Sequence, residues 1–389
     1  MESLARTGPA RRRRKVCIIG DSATKRDAIS AAIVADCNAL QASGEFDPFF
    51  LSGMCQISIP HANIRGLREL LYHPRFVDAD IRLFHFGFYS EVFNACLLGS
   101  QRAKRIVRYH NVAPLEIVDP SQRPRIEKAH RQLAVLANAD EIWPISPYNG
   151  RTFAELGFAV DLAKTLSMPI EPLARRVDLR SKPGPITIAY IGRLVPAKGV
   201  QFLLDAFELL TARGHSDVEL VCAGSPYVRG YADAVRARLG RGLLKNARYL
   251  GYLGDAKLAK VYAQASIVAI PSLHEGLCVP VIEALHAGAI PVVSNTTALP
   301  ETLNGLGRLA PVRDPVALAN CLEEVIADIR AIRRNPDNAT IGIERGRLAL
   351  DDYYAAVSRY VANYSSAVVG AELVRRLRVL TQVSASSST

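Results

Sequence analysis

Two acidic residues mark the stretch of this 389-residue chain where chemistry is easiest to place. Glu275 falls in a turn, His274-Glu275-Gly276-Leu277-Cys278, and Glu283 falls one turn into the helix that follows. The run ASIVAIPS, Ala265 to Ser272, reads as the strand feeding that turn. Pro280 suits the first turn of a helix starting near Val279, because the N–H it lacks would have no partner there. Gly288 reads as its C-cap, and an apolar strand, AIPVVSN, comes next. The backbone N–H groups of Gly276, Leu277, Cys278 and Val279 therefore sit at the positive end of a helix, between two carboxylates. That is an anion site with hydroxyl acceptors on either side. Glu283 can take both hydroxyls of a ribose, and Glu275 can hold the hydroxyls of a sugar.

A pair of cations lies upstream. Gly192-Arg193-Leu194-Val195-Pro196-Ala197-Lys198-Gly199 follows the strand-like ITIAYIG and precedes a helix. Arg193 and Lys198 thus emerge at the carboxyl end of a parallel strand, where open α/β sheets bind ligands. A guanidinium fork and an ammonium point charge together suit a diphosphate. Singly, each of these four residues is an ordinary surface charge. Their mapping to neighbouring strand ends of one domain is what favours a site. In the first half, Arg108-Tyr109-His110-Asn111 ends another apolar strand. The His110–Asn111 pair, with Pro114 after it, reads as a loop facing a cleft. His85, inside LFHFG, reads as structural.

Elements that could position these residues repeat along the chain. KVCIIG, FDPFFLSG, IRLFHFG, RIVRYHN and EIWPIS read as buried strands with helical segments between them, including AISAAIVADCNALQASG and Arg123 to Ala139. Residues 171–185 are rich in Pro and charge and lack periodicity, which suits a linker. The pattern then restarts with ITIAYIG, DVELVCAG and ARYLGYL and their intervening helices. Strand alternating with helix implies parallel sheets with helices on both faces. The expected division is a basic tail at 1–14, a first α/β domain at 15–170, the linker, a second α/β domain at 186–345, a C-terminal helix at 346–383 packing back on the first domain, and a disordered end at 384–389.

Composition bounds the function. Apolar residues make up 49% and charged residues 22%, which is globular, and the length suits two domains. Seven cysteines without a Cys-x-x-Cys pair argue for a reducing compartment and against a zinc framework. No apolar run reaches the length of a membrane span, and no h-region follows the N-terminal arginines. The net charge of +11 is compatible with an anionic small ligand or a peripheral contact with an anionic membrane. Nucleic acid is not implied, for want of a basic element interleaved with aromatics. These features suit a soluble cytoplasmic protein, free or in contact with the inner face of the membrane.

GR-x4-KG, then EGLCVPVIEA, then a strand-end His in the first half, resembles the retaining glycosyltransferases of family 4, with the GT-B fold: two Rossmann-like domains facing across a cleft. The resemblance covers nearly all of residues 15–380 and is most specific from 186 to 300. It implies transfer of a hexose from a nucleotide sugar, UDP- or GDP-linked, to a sugar, lipid-linked or small-molecule acceptor, without a metal or other cofactor. It implies that Arg193 and Lys198 neutralise the diphosphate, that Glu283 binds ribose, that Glu275 contacts the transferred sugar, and that His110 stands near the reaction centre. Ser225, after VCAG, and Tyr252-Leu253, after YLG, match positions near the phosphate and the base. Two departures stand out. Gly276-Leu277-Cys278 replaces the usual Gly-Phe-Gly, and Cys278 reaches positive φ only at a cost, so either a different loop or a modified contact with the reactive sugar is expected there. The loop Gly20-Asp21-Ser22-Ala23-Thr24-Lys25-Arg26-Asp27 lacks the usual glycines. That leaves Asp21, Lys25 and Asn111 as acceptor-side candidates. Lys25 and Arg26 suit a donor phosphate, an anionic acceptor or a solvated turn equally well. A silent nucleotide-sugar binder and a sugar phosphorylase or epimerase are the alternatives.

Overall fold

The computed structural model describes residues 12–25, 27–99, 103–240 and 244–386. Two six-stranded parallel sheets dominate it. The strands of these sheets are numbered β1 to β12 here. The first holds β1 (Arg14–Ile19), β2 (Phe46–Ser52), β3 (His61–Asn63), β4 (Ile81–Phe86), β5 (Lys104–Tyr109) and β6 (Glu141–Pro144), in the order β3-β2-β1-β4-β5-β6. The second holds β7 (Ile186–Ile191), β8 (Val218–Ala223), β9 (Ala247–Tyr249), β10 (Ile267–Ile270), β11 (Ile290–Ser294) and β12 (Arg308–Ala310), in the order β9-β8-β7-β10-β11-β12. Both therefore carry the doubly wound dinucleotide-fold order, with the direction of winding reversing between the first strand and the fourth.

The strands form because both faces are covered. In β1 alternate residues serve different cores: Cys17 and Ile19 pack with Phe84, Val107 and Phe153, while Val16 and Ile18 pack with Ile33, Leu83 and Trp143. Pro48 is tolerated inside β2 because that strand meets β3 only from Phe50 to Ser52, so no partner on that side needs the missing N–H. Helix starts follow local capping. Asp27 accepts from the N–H of Ser30 at 2.9 Å to open Ala28–Ala42, and Asp314 accepts from Ala317 at 2.9 Å to open Pro315–Arg334.

Several boundaries move. Part of the expected tail is structured, since Arg14 opens β1 and Arg12 reaches Asp80 at 3.3 Å; residues 1–11 lie outside the described residues. The expected single C-terminal helix is two. Leu350–Val361 lies on the second domain, with Tyr353, Tyr354 and Val357 in its core. A short turn follows, and Ser366–Ser386 then runs on past the expected end at 383. This last helix packs on Ala28–Ala42 of the first domain, where Gly370 meets Ala39 and where Val369, Leu373 and Leu377 join the core under β1. The crossing is pinned beside the linker: Ile170 N–H donates to Tyr364 carbonyl at 2.7 Å, and Ser366 N–H donates to Glu171 at 2.9 Å. Between β4 and β5 the chain forms a 3₁₀ run, Glu91–Leu97. A hairpin at Thr340–Ile343 and Gly346–Ala349 had no counterpart in the sequence reading.

Candidate functional site

The carboxyl ends of β7 and β10 set the two key loops side by side. After β7, Gly199 takes φ +64, and a Cβ there would lie 2.0 Å from the carbonyl oxygen of Pro271. Only glycine permits this approach. Leu273 N–H donates to Ala197 carbonyl at 2.8 Å and completes the clamp. Lys198 Nζ consequently donates to Glu275 Oε1 at 2.6 Å, and Ser272 Oγ donates to the same oxygen at 2.7 Å. Glu275 is buried, which alone would push its carboxyl up. The charge and hydrogen bond of Lys198, aided by Ser272, outweigh burial and hold it below its ordinary value. Its backbone is fixed too, the N–H donating to Thr297 Oγ1 at 3.0 Å. Thr297 itself sits at φ +53, an unusual place for a β-branched residue.

Arg193 projects from the same loop as Lys198. Tyr190 hydroxyl donates to its carbonyl at 2.9 Å, and its guanidinium lies 5.0 Å from the centre of the Tyr227 ring. A second close approach brings in Ser225. A Cβ at Gly224, φ +154, would lie 1.7 Å from Gly192 carbonyl oxygen, and Leu194 N–H donates to Ser225 carbonyl at 2.8 Å. Gly224 N–H donates in turn to Gly251 carbonyl at 2.9 Å, which places Tyr252 and Leu253 on the next loop of the same rim. Tyr252 is 61% exposed, while Leu253 packs against the core.

Glu283 lies one turn into the helix Val279–Ala287, with Pro280 in its first turn and Gly288 at φ +77 as the C-cap. Tyr262 hydroxyl donates to its Oε2. Burial pushes the Glu283 carboxyl up, opposed by that hydrogen bond, so the two glutamates are tuned in opposite directions. Of the two alternatives for the loop before the helix, a different loop is not what forms: the left-handed turn is kept. Cys278 takes φ +76 as the N-cap residue, buried beside Leu277. The strain of a side chain there, about 1–2 kcal/mol, is carried by packing, with Thr302 Oγ1 donating to Leu277 carbonyl at 2.5 Å.

The first domain closes on these loops. Asn111, at φ +91, is within 2.6 Å of His274 Nε2 through Nδ2, and a Cβ on Gly276 would meet its side chain at 2.7 Å. Asn111, an acceptor-side candidate, thus touches the turn that carries Glu275. Burial depresses the His274 pKa to about 4, so its Nε2 accepts from the amide. Ser146 Oγ caps Pro147–Glu155 by accepting from Asn149 N–H at 3.2 Å and donates to Gly276 carbonyl at 2.6 Å. Glu301 accepts from Tyr148 N–H at 3.0 Å and pairs with Arg151. His110, next to Asn111, is neutral: burial, then His85 and Arg108, hold its pKa well below the usual range. The sequence reading missed Ser272, Thr297, Tyr262 and His274, and took His85 as structural. His85 stacks on His110, with Nδ1 and Nε2 3.0 Å apart. Of the acceptor-side candidates, Asp21 pairs with Arg125 at 2.8 Å and Lys25 is exposed; Arg26 lies outside the described residues.

Residues 185–328 match the family described as glycosyl transferases group 1. O-antigen chain mannosyltransferase B of Escherichia coli is 35% identical over 141 residues, 36% of each chain. MMP alpha-(1->4)-mannosyltransferase of Mycolicibacterium hassiacum is 30% identical over 184 residues, 46% of this chain and 43% of the relative. The chain thus spans less than half the length of these curated relatives. Solved structures match over nearly all of it. Sucrose-phosphate synthase from Thermosynechococcus elongatus aligns over 95% of this chain and 100% of its own, with a TM-score of 0.69 at 17% identity. Anabaena HepE in complex with UDP-glucose aligns over 94% and 99%, with a TM-score of 0.66 at 15% identity. At these identities the likeness shows the fold, which is the two-domain GT-B arrangement. Among the described residues no helix is long and apolar enough to cross a membrane.

Proposed function

We propose, from the premise that the second domain belongs to the glycosyl transferases group 1 family, that this chain transfers a hexose from a nucleotide sugar to an acceptor hydroxyl, with retention and without a metal. Mannose is the hexose we assign, because both curated relatives are named for mannosyl transfer. The observation that carries the reading is the Lys198–Glu275 pair, set on the same strand-end loops as Arg193, with Asn111 of the first domain reaching the turn that holds Glu275.

The chemistry follows from these charges. In the step, the bond from C1 to the diphosphate oxygen breaks and a bond from C1 to the acceptor oxygen forms on the same face. The acceptor's proton goes to the departing phosphate. Negative charge grows on that phosphate, and Arg193 and Lys198 supply fixed positive charge where it grows. Lys198 would share its ammonium between phosphate and Glu275. Glu283, held through one oxygen by Tyr262, takes ribose hydroxyls. His110, neutral, accepts from a sugar hydroxyl. The contacts from Asn111, Ser146 and Glu301 support a closed cleft that excludes water and so favours transfer over hydrolysis. Ser225, Tyr252 and Leu253 line the rim where the base and phosphate would enter. Seven unpaired cysteines support a reducing, cytoplasmic setting, and a sugar or lipid-linked acceptor at the inner membrane face fits it.

The test is a thermal-shift series with GDP, UDP, ADP and their sugars, followed by product analysis with the donor that shifts most. A nucleotide-dependent shift with slow donor hydrolysis supports transfer. A shift with no turnover under any acceptor, or sugar phosphate formed with free phosphate, would replace this reading with a binder or a phosphorylase.

A further inference from the structure

Behind His110 lies a row of polar groups sealed inside the first domain. Arg108 and Asp36 are 0% and 1% exposed, and His85 is 2% exposed. Arg108 Nη1 donates to both Asp36 oxygens, at 3.2 and 2.9 Å, and its Nη2 donates to the carbonyls of Leu166 and Ser167 at 3.2 and 2.8 Å. Asp36 Oδ2 also stands 3.3 Å from His85 Nε2, an electrostatic contact. His85 Nδ1 is 3.0 Å from His110 Nε2. His110 Nδ1 is buried and has no partner among the described residues.

Charge decides where the protons sit along this row. Arg108 is paired with the Asp36 carboxylate, so the His85 nitrogen that faces it at 3.3 Å, buried and without a hydrogen-bond partner among the described residues, is the better placed of the two to carry the proton. Arg108 also cancels the Asp36 charge, so a second charge on His85 in this sealed place is costly. Burial accordingly holds His85 below its ordinary pKa. A neutral imidazole protonated on Nε2 has a bare Nδ1. His110 Nε2 must then donate to it, and His110 Nδ1 is left bare. A charged His85 would reverse the outcome, with Nδ1–H donating to His110 Nε2 and the proton of His110 on Nδ1.

We propose that Asp36 and His85 are positioning residues that fix His110 as its Nε2–H tautomer, leaving Nδ1 as an acceptor for one donor-sugar hydroxyl. The buried lone pair is the observation that asks for such a partner, since an unmet polar atom there carries the desolvation cost of about 1–3 kcal/mol. The role assigned to the hydroxyl rests on the transfer reading above; the tautomer does not.

The experiment is a long-range proton–nitrogen correlation spectrum of the full chain carrying nitrogen-15 histidine, with His110→Gln and His85→Asn used to assign the signals. The expected result is His110 and His85 both neutral and both protonated on Nε2. His85→Phe should release the constraint: His110 shows mixed tautomers, and kcat falls roughly 10- to 100-fold with KM for the donor unchanged. His85→Asn, whose Oδ1 can accept in place of Nδ1, should retain most of the activity and the parent tautomer. A His110 protonated on Nδ1 in the parent overturns the proposal, as does an unchanged tautomer in His85→Phe. Should His85→Phe fail to fold, the parent spectrum and His85→Asn still decide. If the parent shows the expected tautomer but no transfer with any donor, the functional reading fails and the tautomer assignment stands.

Discussion

The two domains share a strand order and place their charges in opposite ways. In the second domain the pair sits at the open crevice, with Lys198 24% and Glu275 10% exposed at the side chain. In the first domain Arg108 and Asp36 are sealed beneath the sheet, at 0% and 1%. A charge at a crevice can be shared with an arriving anion, because water and ligand both reach it. A charge sealed in the interior can only act on its neighbours, here by setting where protons lie. One sheet thus leaves its ion pair at an opening, and the other encloses its own behind a pair of stacked histidines.

The sharpest way to break this contrast is to remove Arg108. Arg108→Met leaves Asp36 charged and unpaired, and should cost about 3–5 kcal/mol in a urea unfolding midpoint. Lys198→Met should cost less, about 1–3 kcal/mol, because water reaches its site, but should abolish the nucleotide thermal shift. His110→Ala should spare that shift and lower turnover about 10²-fold, the scale on which one preorganised active-site hydrogen bond acts. Equal loss of binding and turnover there would show that the first domain helps hold the nucleotide.

The pH dependence sharpens the contrast within the second domain. Glu275 has a folded pKa below its ordinary 4.5. Its contribution to stability is present above that unfolded value and lost as pH falls through the folded one. Glu283 is shifted the other way, so its ionisation opposes folding at neutral pH and ceases to do so as pH falls below 4.5. Melting temperatures of the free protein from pH 7 to well below pH 4.5 should show Lys198→Met losing the acid-side decline due to Glu275. Glu283→Gln should melt slightly higher than the parent at pH 7 while giving a weaker nucleotide shift. A lower melting temperature for Glu283→Gln would show that the Tyr262 bond outweighs burial. The smallest effect expected is for Cys278→Gly. Relief of left-handed strain, about 1–2 kcal/mol, is offset by the added chain entropy of glycine, about 0.5–1 kcal/mol, so the unfolding midpoint should shift little.

Much of this was readable from residue order alone. Apolar runs such as IVAI and VCII, spaced by helical segments, could only be strands covered on both faces, so two parallel sheets followed from one-dimensional pattern. Arg193, Lys198, Glu275 and Glu283 fall just after such strands, and a strand end is a position that sequence can locate. What pattern could not supply was pairing across distance. That Lys198 meets Glu275, that Tyr262 meets Glu283, and that Asn111 crosses to His274 depends on which strand lies beside which, a property of the closed sheets and cleft. The contacts of His85 were hidden for the same reason. Inside LFHFG it is one polar residue in an apolar strand, and only folding brings Asp36, 49 positions earlier, to one side of its ring and His110, 25 positions later, to the other. Local periodicity specifies elements because burial acts on each segment separately; a proton's place on a ring is set by groups far apart in sequence, and only the folded chain brings them within reach.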